Sequence, residues 1–369
     1  MFDGRPSRPL PIPSRKPREY VVGWQIANPH PGQSCALDVR GRGWRVVLKK
    51  CPDLSGLRHG VLKLPRRFVP FDVLILASSR LQAQNVAMLL HAAEAVEHGC
   101  LPMSGLLGVT ALIPPTAVPR RTHDLEGLDP DLAQQGLAAV RQSGGMETVI
   151  RLAANASQRR SWQYALLKLY HSMTLVGVEM MDTHPKYYEP GGFIPSRWTN
   201  DHVRYTAAVT YAYAAIEELR LTVNAVEVNG TKRARLDDGT WVPAVLADIE
   251  ARLAQAHVQS GEGFLWHRRG ALRRHERSKK IRASATPRWS RGPIRDVCVS
   301  FPDALDHVRY LRNQVSGHRI DDRGRSLTAL DVANVQGLAR ALIFSTTRSW
   351  WPAYQPWMLK DRLTEGRGP

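Results

Sequence analysis

The sequence predicts an α+β, multidomain protein: a small α/β domain followed by a four-helix bundle that carries a long basic insertion. Three observations lead there. Strand-like apolar runs fall in the first third of the chain, apolar residues recur at helical spacing from about residue 150, and a dense run of arginine and lysine separates the second helical segment from the third. At 369 residues, with 43% hydrophobic and 23% charged residues, the chain can bury two separate cores.

In order along the chain, residues 1–18 read as a flexible, Pro-rich basic arm without the apolar stretch of a secretory signal. The segments EYVVGWQIA and RGWRVVLKK read as short strands, and FDVLILASS as a buried strand. The last runs into RLQAQNVAMLLHAAEAVEHG, where Leu81, Val86, Leu89, Leu90, Ala93 and Val96 approximate a helical stripe and Gly99 supplies a stop. GLLGVTALIPP reads as another strand. This order predicts an α/β domain within 19–145. It contains no phosphate-binding glycine motif, and its role stays open between meeting a regulatory or trigger partner and selecting a target.

Residues 150–350 form the helical domain. SQRRSWQYALLKLYHSMTLVGVEMMD and NDHVRYTAAVTYAYAAIEELRLTVNAV are its first two helices, with Asn200 or Asp201 as the cap of the second. An insertion over 228–296 holds a short helix, LADIEARLAQA. SFPDALDHVRYLRNQVSG, with Ser300 and Asp303 in capping-box positions, is the third helix, and LTALDVANVQGLARALIFSTTRSWW the fourth. Residues 351–369 are a tail.

Composition narrows the function. The longest apolar runs, such as Val73 to Ala77, are far too short to span a bilayer, so no membrane association is expected. Cys35, Cys51, Cys100 and Cys298 form no C-x-x-C pair, which argues against structural zinc and a disulfide framework and fits a reducing cytoplasm. No H-E-x-x-H, Walker A or G-x-S-x-G pattern occurs, and neither a metal nor a cofactor is expected. The net charge of +18 favours a polyanionic partner. Much of it lies in the insertion, where Arg268, Arg269, Arg273, Arg274, Arg277, Lys279, Lys280 and Arg282 face one acid, Glu276. Two readings stay open: a solvated charged loop, or an RNA-binding loop that tracks phosphates while Trp266 and Trp289 stack on bases.

The candidate active site is YLRNQVSGHRI, which places Arg312, Asn313 and His318 at the end of the third helix. Arginine and histidine near one another are common here; Arg197 with His202, and Arg268 or Arg269 with His275, are similar pairs. The Arg312 pair differs in having Asn313 next to it, an apolar-patterned helix and Gly317 before the histidine. Histidine titrates near neutral pH and suits proton transfer, while a guanidinium suits charge developing on phosphoryl oxygens. Six helical residues turn through about 600°, so the helix must end or loosen near Gly317 for His318 to approach Arg312. The competing structural reading pairs Arg312 with Glu217 or Glu218 and makes His318 a helix C-cap. Tyr205, Tyr211 and Tyr213, at helical spacing, read as packing residues.

Arg312-Asn313-x(4)-His318, at the end of the third helix of a four-helix segment, resembles the R-N-x(4)-H motif of HEPN domains, and YAAIEELRLTVNAV has that family's character. The resemblance covers about residues 150–350. It implies a metal-independent endoribonuclease acting on RNA as a homodimer, with two motifs meeting in a composite cleft and Arg312, Asn313 and His318 as catalytic residues. It also implies a role in toxin or antiphage defence. Other members of that family are non-catalytic RNA- or nucleotide-binding modules, the alternative for this chain.

Overall fold

The computed structural model describes residues 18–27, 37–50, 68–77, 79–98, 145–176, 199–258, 262–269, 294–316, 327–349 and 359–361. The chain divides into two compact units, Met1–Met88 with Ser104–Gly127 and Leu89–Met103 with Leu128–Pro369.

In the first unit, β1 (Arg18–Ala27), β2 (Leu37–Gly41), β3 (Trp44–Lys50) and β4 (Phe68–Ala77) form one sheet in the order β1-β4-β3-β2. Every pairing is antiparallel, with Val22 opposite Val73, Val46 opposite Ile75 and Val39 opposite Val46. The unit is therefore α+β; the α/β alternation inferred from strand-helix-strand order does not produce a parallel crossover among the described residues. The strand expected at 105–115 lies outside them. RGWRVVLKK resolves into the β2–β3 turn and β3, with Gly43 at φ 75°, a position suited to glycine. Gly41 is required for a different reason: a Cβ there would enter the Trp44 ring. Helix α1 (Arg80–His98) follows, belonging to this unit through Met88 and to the second from Leu89, with its Gln82 side chain donating to the Gly43 carbonyl at 3.0 Å. Its buried stripe runs through Ala83, Val86, Ala87 and Leu90, which leaves Leu81 exposed rather than in the core as expected.

The second unit is helix-rich. It contains α2 (Gly145–Ala156), α3 (Arg160–Leu175), α4 (Thr199–Glu218), the hairpin β5 (Val226–Val228) and β6 (Thr231–Arg233), and α5 (Pro243–Gln255). Then come β7 (Glu262–Arg269), β8 (Ile294–Ser300), α6 (Phe301–Tyr310), a π-helical turn (Leu311–Ser316), α7 (Ala329–Thr347) and β9 (Leu359–Asp361). Helix α2 was not anticipated. Helices α3, α4 and α7 pack against one another, and the π turn packs on α4. No helix among the described residues is long and apolar enough to cross a membrane.

Helix α7 departs from a bundle helix, which buries one stripe: every residue from Leu330 to Ser345 is buried. Three of its buried polar side chains, Asn334, Gln336 and Arg340, each bond a different element. Asn334 accepts from the His267 N–H at 2.8 Å and donates to the His267 carbonyl at 2.9 Å, standing in for a neighbouring strand beside β7. Gln336 donates to Ser172 Oγ at 2.9 Å, and that hydroxyl donates to the Ala208 carbonyl, joining α7, α3 and α4. Arg340 donates to the Val96 carbonyl at 2.6 Å and to that of Glu97, both at the carboxyl end of α1.

Thr328 caps α7 in a capping box with Asp331. Burial pushes the Asp331 carboxyl up from 3.8 to about 6, against the opposing hydrogen bonds from the Thr328 N–H and hydroxyl. With the folded value above the unfolded one, the stabilising contribution of this group is complete below pH 3.8 and is lost as pH rises through about 6. Asp331→Asn, which keeps an acceptor and removes the charge, is expected to gain stability relative to the parent between pH 4 and 7.5, by up to about 3 kcal/mol. Thermal midpoints of both proteins across that range check it; a constant difference would contradict it.

Several helix ends were misplaced by sequence. Helix α4 is already under way at Thr199, so Asn200 and Asp201 lie in its first turn, where Asp201 sits 3.8 Å from Arg204. It ends at Glu218, well before Val226, because Arg220 turns left-handed (φ 60°) and the Leu221 N–H closes back on the Ile216 carbonyl. His257 and Arg348 terminate α5 and α7 in the same way and bond to each other at 2.7 Å.

The described parts of the insertion are folded. Asn229 and Gly230, both at positive φ, make the β5–β6 turn. Arg235 bridges Asp303 and Asp306 of α6 at 2.7 Å each, under the ring of Trp241 at 3.9 Å. The expected helix is α5. Strands β7 and β8 pair antiparallel, and β9, from the expected tail, joins as the third strand in the order β8-β7-β9. Trp266 is 1% exposed, edge-on to His307 at 4.8 Å, so it is a core residue rather than a base-stacking one. Trp289 lies outside the described residues.

Candidate active site at the π turn

Ser300 caps α6 by accepting from the Asp303 N–H, as the capping pattern anticipated, and the α-helix runs only to Tyr310. From Leu311 to Ser316 the hydrogen-bond ladder widens to the π form. Arg312 and Asn313 therefore sit on a π turn, not on the α-helix expected through Gly317. Loosening was expected near Gly317; it begins six residues earlier. Such turns are rare and recur at functional sites.

Both side chains are half-buried. Arg312 Nη1 donates to Asn313 Oδ1 at 2.8 Å, and the guanidinium lies over the Tyr213 ring of α4 at 5.6 Å. The contact is a cation–π one. Among the described residues no carboxylate lies within ion-pair distance of Arg312. The expected pairing with Glu217 or Glu218 is not formed: Glu218 is held by Lys168 at 2.6 Å, and Glu217 is exposed. The neighbouring Arg309 is instead engaged by Asp306 at 2.9 Å.

Tyr213 is buried, as expected of a packing residue. Burial, helped by the Glu217 charge, raises its hydroxyl above the ordinary value, while Arg312 and Arg309 act the other way. Tyr310 stacks on His307 at 6.0 Å. Tyr205 is half-buried, and Tyr211, at 44% exposure, faces solvent rather than packing inward.

His318 lies outside the described residues, as do Arg273, Arg274, Arg277, Lys279, Lys280 and Arg282. Arg268 and Arg269 end β7, opposite Arg295 and Ile294 of β8. The described residues thus bring Arg312 and Asn313 together with Tyr213. Sequence reading had not linked Tyr213 to the motif, since spacing within α4 says nothing about which later element it meets. The rival His202 is buried, away from any open surface. No group of three or more His, Cys, Asp or Glu side chains among the described residues is placed to hold a metal ion.

Searches against protein-family models, curated proteins and solved structures found no match to this chain.

Proposed function

We propose that this chain is an endoribonuclease that cleaves RNA by attack of a 2′-hydroxyl on the adjacent phosphorus. One observation carries the reading: Arg312, with no carboxylate to neutralise it among the described residues, is fixed by Asn313 and Tyr213 on a π turn that leads towards His318. A guanidinium held this way is preorganised for charge that develops on phosphoryl oxygens. Asn313 stands five residues before His318 in the sequence and is bonded to Arg312. The asparagine would then orient both partners, the arginine directly and the histidine by tautomer.

In the proposed reaction a base takes the 2′-hydroxyl proton and the oxygen bonds to phosphorus. The bond from phosphorus to the 5′-oxygen breaks, and that oxygen receives a proton. The products are a 2′,3′-cyclic phosphate and a 5′-hydroxyl, and no oxidant or co-reactant is consumed. His318 suits the proton transfers. One motif supplies one histidine, so separate acid and base require a second copy of the chain. The basic insertion, Arg268 to Arg282, would add phosphate contacts, and the first unit would meet a regulatory partner.

The test is incubation of purified protein with total RNA in EDTA, wild type beside Arg312→Ala, with product ends analysed. Cleavage by wild type leaving cyclic phosphate ends, and loss of about two to three orders of magnitude in rate for Arg312→Ala, is the expected result. Equal cleavage by both proteins would exclude the assignment. Binding without cleavage by either would favour the non-catalytic module.

A further inference from the structure

The corner where α2 meets α3 carries a charge arrangement that the motif does not use. From Arg151 to Val176 the chain has three arginines, Arg151, Arg159 and Arg160, together with Lys168 and His171, and no acidic residue. Arg159 lies over the Trp162 ring at 4.7 Å, and Arg160 over the Tyr164 ring at 5.3 Å, donating to the Tyr164 hydroxyl at 3.0 Å. Both arginines are exposed, and neither has an ion-pair partner among the described residues. A guanidinium laid on an aromatic ring has lost much of its rotamer freedom, and apart from the Arg160 bond to Tyr164 no side-chain hydrogen bond among the described residues occupies either fork, so each meets a phosphate at reduced entropic cost.

The same face continues along α3. Tyr164, 41% exposed, and His171 stand seven residues apart, and His171 is 6.1 Å from the exposed Tyr211 ring of α4. Seven residues of helix rise about 10 Å, close to three steps of a stacked strand. Exposed rings at that separation, with two arginines free of ion pairs among the described residues at one end, match a polymer that offers flat bases and phosphates together. A duplex hides its base faces; a single strand presents them. Lys168, between the rings, is already held by Glu218 and adds little.

We propose that Arg159, Arg160, Tyr164, His171 and Tyr211 form a track for single-stranded RNA, the two arginines binding phosphates and the rings taking bases. The proposal rests on RNA being the partner in the reading above, not on its cleavage. It assigns the site a substrate class, unpaired RNA.

Binding is measured by fluorescence anisotropy with a short fluorescein-labelled 2′-O-methyl RNA, which lacks the attacking hydroxyl, as a single strand and as a duplex, over a series of salt concentrations. Wild type is expected to prefer the single strand. Arg159→Gln/Arg160→Gln should weaken binding and reduce the salt slope by about 1.4, since each phosphate contact on a single strand contributes about 0.7. Tyr164→Ala should weaken binding about 5- to 100-fold with the slope unchanged. All of these positions are at the surface, so melting curves should match wild type. An unaltered slope and affinity in the double variant, or equal affinity for the duplex, would overturn the track even if the protein cleaves RNA. Conversely, the expected slopes without cleavage of ordinary RNA would uphold the track and remove the nuclease.

Discussion

The His318→Ala variant is expected to lose RNA cleavage by about 10²–10⁴-fold while its far-UV circular dichroism and melting curve stay at wild-type values. The imidazole is asked to move protons at neutral pH, and alanine offers no group that can. If the histidine were only a helix cap, its removal would instead cost about 0.3–1 kcal/mol of stability and leave the rate untouched. The two outcomes are read in different measurements, so they separate cleanly. His318→Gln sharpens the test, because an amide can cap a helix but cannot act as general base.

A comparably large effect, on stability, is expected at Arg340. Its guanidinium is buried within α7 and bonded to the Val96 and Glu97 carbonyls, groups that the last turn of α1 cannot satisfy internally. A cation there also faces the negative end of the helix dipole. Arg340→Met fills much of the volume but leaves those carbonyls buried without donors, at about 1–3 kcal/mol each, alongside the loss of charge-assisted bonds. The expected net destabilisation is about 3–5 kcal/mol, a fall of roughly 6–20 °C in the midpoint of the helical unit. Arg340→Lys should recover part of it, since an ammonium reaches one carbonyl but not two in the same plane. A fall below about 2 °C for Arg340→Met would mean that α1 is held by packing alone.

The helical content and the order of the main elements were legible because apolar residues recur at three to four positions in α3 and α6, and because Ser300 with Asp303 is a local signal written in adjacent residues. Helix ends were less legible. Arg220, His257 and Arg348 take the left-handed conformation that glycine usually marks, and tertiary packing offsets the strain of about 1–2 kcal/mol each. Strand direction was not legible either, since β4 pairs with both β1 and β3, and no local pattern names a strand's neighbours. At the candidate site, the adjacency of Arg312 and Asn313 followed from sequence, whereas the π turn and the Tyr213 platform depend on how the turn packs on α4. Trp266 misled for a related reason: an aromatic beside a basic tract looks available for stacking until the fold buries it under His307.

Helix α7 bonds through Asn334, Gln336 and Arg340 to β7, α3 and α1, elements encoded up to some 240 residues earlier in the chain. A chain growing from its amino end therefore exposes the apolar faces of α3 and α4 throughout synthesis of the insertion and α6, with the helix that covers them still unmade. The helical unit can close only after residue 347 has left the ribosome. Apolar faces left uncovered in this way are the kind of surface that aggregates and that chaperones shield, and a product cut short before α7 would keep them exposed.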